Sequence, residues 1–161
     1  MRLRESFTYP DTDVEAVYGL ITNEGFRAEA VAAVRGTDIE VTVEPSKDGH
    51  TVTVLQTQPA NVPDFIKRFT GDSVRVKQTE RWGAPDDEGN RSAEVKFTVI
   101  GQPVDMHGTA HLSANSDVSF VVEGDVKVRA PFIGRKIEPE IARIIAASLR
   151  NDVELGIARL S

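Results

Sequence analysis

The chain of 161 residues has no cysteine. That absence removes disulfides, thiolate metal sites, thiol nucleophiles and iron–sulfur clusters together. It also lacks any stretch of about 18 consecutive apolar residues, so no segment reads as a membrane-spanning helix. The opening run Met1-Arg2-Leu3-Arg4-Glu5-Ser6-Phe7 puts charges where a signal peptide needs an apolar core. Asn90-Arg91-Ser92 fits a glycosylation sequon, but nothing accompanies it that would take the chain out of the cell. A cytoplasmic location is therefore expected. Basic charge is in short supply, 19 Lys and Arg against 25 Asp and Glu for a net −6, which argues against non-specific nucleic-acid binding. No repeat, low-complexity tract or long linker breaks the chain. What remains is 40% apolar and 27% charged, the balance of a globular protein. A chain of this size suits one domain over residues 1–161, burying roughly 70% of its unfolded surface.

Hydrophobic periodicity supplies an element order. Leu3, Phe7 and Tyr9 alternate with Arg2, Arg4, Ser6 and Thr8 as in a half-buried strand, which Pro10-Asp11 ends. Thr12 with Glu15 three residues later has the form of a capping box, and Val14, Val17, Tyr18 and Ile21 follow at helical spacing. A second short helix starts at Asn23, carries Phe26, Val31 and Val34, and stops at Gly36. From Asp38 to Arg129 the period is two, interrupted by turns at 45–49, 83–90, 101–103 and 113–117. Such clean alternation predicts strands with one buried and one wet face, as in an antiparallel sheet. Residues 59–71 do not alternate; Phe65, Ile66 and Phe69 fit one or two helical turns. After Pro131 a long helix carries Ile133, Ile137, Ile141, Ile144 and Ile145 on one side. At about 1.5 Å per residue it spans roughly 40 Å, enough to cross a whole sheet.

One strand, two short helices, six strands and a long terminal helix is an α+β order that resembles the START-like superfamily, also called SRPBCC. The birch-pollen allergens (Bet v 1-like) and polyketide cyclase/dehydratase-like proteins belong to it. Ala130-Pro131-Phe132-Ile133-Gly134-Arg135-Lys136-Ile137-Glu138 is similar to the start of the last helix in one uncharacterised actinobacterial family of that superfamily. Gln78-Thr79-Glu80-Arg81-Trp82 is similar to that family's fourth strand. Neither segment is a catalytic motif, so the resemblance speaks for fold rather than function. It implies a helix-grip architecture: a curved antiparallel sheet clasping the terminal helix, with a cavity for an apolar ligand between them.

The residues offer little conventional chemistry. His107 and His111 share one strand face four residues apart, so their Cα atoms stand roughly 13 Å apart at about 3.3 Å per residue. That is too far for one ion bound at about 2 Å from each nitrogen. His50 lies at a turn with no visible partner, and no metal or other cofactor is expected. The G-x-S-x-G, H-E-x-x-H, G-x-x-x-x-G-K and G-x-G-x-x-G patterns are all missing, and no catalytic residue is assigned.

The informative signal is polar residues on faces that should be apolar. If Val74, Val76 and Trp82 point inward, so do Gln78 and Glu80; Glu5 and Gln56 follow from their own strands. On the terminal helix, the stripe through Ile141 passes Ser148 and Asp152. A buried carboxylate pairs, protonates or sits by water. Two readings are open: a wet or ligand-filled cavity, or sheet-rim ion pairs at Glu5 and Glu80. For Ser148 and Asp152 the stripe's drift toward Leu149, Val153, Ile157 and Leu160 leaves an outward orientation equally open. Trp82, Phe97, Met106 and Phe120 are the large inward side chains, either solid core or cavity wall. Gly108 and Ala110 beside Met106 suggest a hollow rather than a filled interior. Phe65 with Ile66 and Phe69 either caps it or packs on the sheet edge.

The expected function is binding of a small, largely apolar molecule of lipid, polyketide or isoprenoid class. Gln78, Glu80, Trp82, Phe97, Met106, Phe120, Phe65, Ile141, Ser148 and Asp152 are the candidate ligand-binding residues. One alternative is a cyclase/dehydratase-like enzyme using Glu80 or Asp152 as general base. Another is a protein-interaction module using the basic outer stripe of Arg75, Lys77 and Arg81. No stacking aromatics accompany that stripe, so a nucleic-acid partner is not expected. The oligomeric state is open.

Overall fold

The structure is a computed structural model describing residues 1–161. The chain forms β1 (Arg2–Tyr9), α1 (Val14–Ile21), α2 (Glu24–Ala33), β2 (Thr37–Pro45), β3 (His50–Pro59), α3 (Asp64–Thr70), β4 (Ser73–Trp82), β5 (Arg91–Val99), β6 (Val104–Ala114), β7 (Val118–Val128) and α4 (Gly134–Leu160). The seven strands make one sheet in the order β1-β7-β6-β5-β4-β3-β2, with every neighbouring pair antiparallel. The first strand pairs with the last, so β1 and β2 are the two edges and α1–α2 carry the chain from one to the other.

Local chemistry sets the helix ends. Asp13, not Thr12, caps α1: its Oδ1 accepts the Ala16 N–H at 2.8 Å. Glu15 therefore closes no capping box and turns to Arg91 instead. Asn23 caps α2 through the Phe26 N–H at 2.9 Å.

Period-two alternation puts Leu3, Tyr9, Val54, Trp82, Phe97, Met106, Leu112 and Phe120 on the concave face, beneath Ala142, Ile145, Leu149 and Val153 of α4. Each large side chain buried this way contributes roughly 1.5–3 kcal/mol. α4 runs through Pro139 without a break and lies over β7 and β1, touching α1 and α2. Its buried stripe drifts as the spacing implied, from Ile137 to Leu149, Val153 and Gly156, and Ile144 faces solvent. No helix is long and apolar enough to cross a membrane.

Two expectations about the interior need correction. Gly108 does not open a hollow. It pairs with Gly124 across β6 and β7, and a Cβ on either would collide with the other strand's backbone, at the Glu123 and His107 carbonyls. The space left by the missing side chains is taken up by main chain. Nor does α3 place all its apolar residues on one surface. Ile66 alone is buried, against Val104, Val128 and Ile137, while Phe65 and Phe69 point to solvent.

Candidate functional site

The inward face of β4 brings Gln78, Glu80 and Trp82 beneath the helices, and all three are buried. Arg27 descends from α2 to meet Glu80 in a two-pronged ion pair. Its Nη1 donates to Oε1 at 3.0 Å and its Nη2 to Oε2 at 2.6 Å. Gln78 Nε2 donates to Glu80 Oε2 at 2.7 Å, and Trp82 Nε1 donates to Oε1 at 2.9 Å. Both carboxylate oxygens are thus doubly satisfied. Burial alone would pull the Arg27 guanidinium below its ordinary pKa, but the Glu80 charge and hydrogen bonds outweigh it and raise the value. A buried pair stays folded in only when such bonds offset the desolvation of both ions.

Beside this pair lies a small cavity of about 30 Å³, walled by Tyr9, Phe26, Arg27, Glu80, Phe120 and Asp152 among others. This is room for about one water molecule. Two of its walls carry polar groups without good partners. The Tyr9 hydroxyl makes no hydrogen bond, and its pKa is raised by burial and then by the Asp152 charge. The Asp152 carboxyl receives only a long bond from Asn151 Nδ2, at 3.4 Å. Burial pushes its pKa up to about 6, against the pull of Arg27. Across the cavity, then, a fixed charge pair faces a neutralisable acid and an unpaired phenol.

A second, open space lies where α4 passes the edge strand. This groove of about 660 Å³ has Leu3, Ala142, Ala146 and Ala147 as apolar wall, and Glu5, Arg143, Arg150 and Asn151 among its polar residues. Along the inward face of β1, Glu5 stands at the groove, Phe7 next, and Tyr9 at the cavity.

The sequence candidates divide accordingly. Gln78, Glu80, Phe120 and Asp152 line the cavity. Trp82 is one step behind, holding Glu80. Phe97 and Met106 pair across β5 and β6 in the buried core rather than at the cavity. Ile141 is half-buried between the two apolar clusters, and Ser148 is half-buried on α4 away from the cavity wall. Phe65 is exposed on α3. Glu5 is half-buried in the groove, not in a rim ion pair. Arg27 and Tyr9 were missed as site residues. Arg27 stands three and four positions before Ala30 and Val31, which places it on the inward stripe of α2.

His50 does have a partner: its Nδ1 lies 2.5 Å from the Tyr18 hydroxyl. The Tyr18 ring also packs edge-on to Trp82 and lies under the Arg91 guanidinium at 3.7 Å, itself bound to Glu15 at 2.7 and 2.8 Å. That pair holds the Glu15 carboxyl below its ordinary pKa. His107 lies 3.8 Å from Asp105, and His111 meets Ser92 at 2.7 Å. No three His, Asp or Glu residues converge as metal ligands do. On the outer sheet face Arg75 is paired with Glu40 at 2.9 Å, and Arg81 stands opposite Glu94.

A curved antiparallel sheet clasping one long terminal helix, closed on a side by two crossing helices, is the START-like (Bet v 1-like) helix-grip fold. Solved structures share it along nearly the whole chain. TTHA0849 from Thermus thermophilus matches with a TM-score of 0.59 at 15% identity, covering 100% of both chains. The Zhui aromatase/cyclase from a Streptomyces species matches with 0.59 at 11%, covering 99% of this chain and 92% of that one. A norcoclaurine synthase point mutant from Thalictrum flavum matches with 0.57 at 11%, covering 100% and 96%. At these identities the likeness is one of fold. Over residues 4–159 the chain matches the family model described as "Protein of unknown function (DUF2505)", and it belongs to that family. The "Uncharacterized protein Mb0491c" of Mycobacterium bovis and the "Uncharacterized protein Rv0481c" of Mycobacterium tuberculosis are each 30% identical over 90 residues. The match covers 54% of this chain and 51% of each relative, so it spans about half the length of the curated relatives.

Proposed function

We propose that this protein binds a small, largely apolar molecule of lipid, polyketide or isoprenoid class between the sheet and α4. One hydrogen-bonding end sits in the cavity against Tyr9 and Asp152, and the apolar body lies toward the β1–α4 groove along Leu3, Ala142 and Ala146. The observation that carries this reading is the pair of poorly partnered polar groups, Tyr9 and Asp152, on the wall of a cavity where Glu80 itself is fully partnered. Buried polar groups are held by partners, so groups left over at a cavity invite a guest's polar atom. The small cavity of about 30 Å³ admits only that polar end. The groove of about 660 Å³ falls within the size of ordinary ligand sites, roughly 300–1,000 Å³. Phe7 stands on β1 between Glu5 at the groove and Tyr9 at the cavity, and Leu149 is a cavity wall, so a guest that reaches from one space to the other displaces these side chains.

Native mass spectrometry of the purified protein, followed by Nile red titration, tests the proposal. A co-purifying small molecule or saturable dye binding at one site supports it. A protein that carries nothing and leaves the dye dark contradicts it.

A second reading has its own observation. Asp152, with a pKa pushed up to about 6 and an oxygen free toward the cavity, has the poise of a general base. Glu80 does not, because four donors occupy it. Neighbours described as an aromatase/cyclase and a norcoclaurine synthase lend this reading analogy of fold alone. If an apolar carbonyl substrate is turned over, the rate should rise through pH 6, and Asp152→Asn should remove both the rate and that inflection. A variant that keeps the full profile rules the base out.

A further inference from the structure

One end of the molecule carries side chains that the cavity does not explain. Phe65 and Phe69 on α3, Ile100 at the β5–β6 turn and Phe132 in the β7–α4 connection are 40%, 59%, 48% and 101% exposed. A soluble surface rarely gathers several large apolar side chains without a use for them. Phe132 also adopts a positive φ of 68°, a backbone conformation that a bulky residue seldom takes, and its ring is held wholly outside the fold.

These three connections are tied into one platform. Gln102 Nε2 donates to the Phe69 carbonyl at 3.2 Å, joining the β5–β6 turn to α3. The Arg129 N–H donates to the Pro103 carbonyl at 2.8 Å, joining that turn to the end of β7. Beneath them Ile66 is buried against Val128 and Ile137, with Ile133 packed alongside. The exposed tips therefore stand on a packed base.

The charge at this end is of the opposite sign to the chain as a whole. Lys67, Arg68, Arg135 and Lys136 are exposed and enter none of the molecule's ion pairs, while Arg129 is paired with Asp105 at 2.7 Å. Asp64 opens α3 and Asp72 follows it, and four cations against these two acids leave the platform positive on a protein of net charge −6.

We propose that this platform of Phe65, Phe69, Ile100 and Phe132, with Lys67, Arg68, Arg135 and Lys136, docks on an anionic lipid surface. Separate apolar prongs on different connections do not form the continuous groove that a helix or strand of a protein partner would fill. A bilayer interface suits them: the tips enter the acyl boundary while the long cationic side chains remain with the headgroup phosphates. This inference rests on the exposed residues and stands or falls apart from the cavity reading.

Flotation with vesicles of phosphatidylglycerol mixed with phosphatidylcholine, against phosphatidylcholine alone, tests it. The protein should float with the anionic vesicles, stay behind with the neutral ones, and be released by salt. Phe69→Ser with Phe132→Ser, and separately Lys67→Glu with Arg68→Glu, should each lower the bound fraction about tenfold. The melting temperature should hold, because these side chains pack against little. Absence of binding to anionic vesicles, equal binding to both kinds, or full binding by both double variants overturns the proposal. So does a dimer that forms without vesicles and is abolished by the phenylalanine substitutions, since the platform would then be taken by a second copy of the chain.

Discussion

Arg27 and Glu80, 53 residues apart in sequence, meet beneath α4 with nitrogen–oxygen distances of 3.0 and 2.6 Å, and each side chain is only 7% exposed. The pair joins α2 to β4 with one charge on each. Removing either charge leaves the other buried and unpaired. Arg27→Ala or Glu80→Ala should therefore cost about 3–5 kcal/mol in urea unfolding. The double variant Arg27→Met with Glu80→Leu should cost far less than the sum of the two, since no ion remains to be buried.

Asp152 gives stability a pH dependence of opposite sign to that of an ordinary ion-paired carboxylate. Its folded pKa is raised to about 6, from the ordinary 3.8, so the native state holds the proton more tightly than the unfolded chain. Its favourable contribution is full below pH 4 and is lost as pH rises to about 6. The stability difference between Asp152→Asn and the parent should therefore move in the variant's favour by on the order of 2 kcal/mol between pH 4 and pH 7. Urea titrations at both pH values measure it. A difference that does not change with pH would mean that Asp152 is solvated.

Two glycine substitutions should act in opposite directions. Gly108→Ala forces a methyl group into the Glu123 carbonyl and should cost about 2 kcal/mol or more. Gly19→Ala meets nothing within 4 Å on the exposed side of α1, and should stabilise by about 0.5–1 kcal/mol through helix propensity. Thermal unfolding of the two variants checks both signs.

The strand pattern made much of this architecture legible. Alternation along β4 turned Gln78 and Glu80 inward beside Trp82, and the drift of apolar positions on α4 predicted a stripe through Leu149 and Val153. The partner of Glu80 was not legible in the same way. Arg27 sits on a ten-residue helix of low amphipathicity, where a charge reads as surface until the fold brings β4 beneath it. Gly108 misled because a glycine that opens space and one that lets two backbones touch look identical in sequence. Thr12 and Asp13 both suit a helix cap, and only the backbone geometry selects Asp13. His50 and Tyr18 meet because β3 returns beside α1, a long-range contact that no local spacing encodes.

The central claim is that Tyr9 and Asp152 receive the polar end of a guest whose body is apolar. Displacement of Nile red by 1-naphthol and by naphthalene, in the parent and in the double variant Tyr9→Phe with Asp152→Asn, addresses it directly. The two probes differ by one hydroxyl, and a hydrogen bond to such groups is worth about one factor of ten in affinity. The account predicts that the affinity ratio of 1-naphthol to naphthalene falls about tenfold in the variant. An unchanged ratio, or a parent protein that binds neither probe, would contradict it.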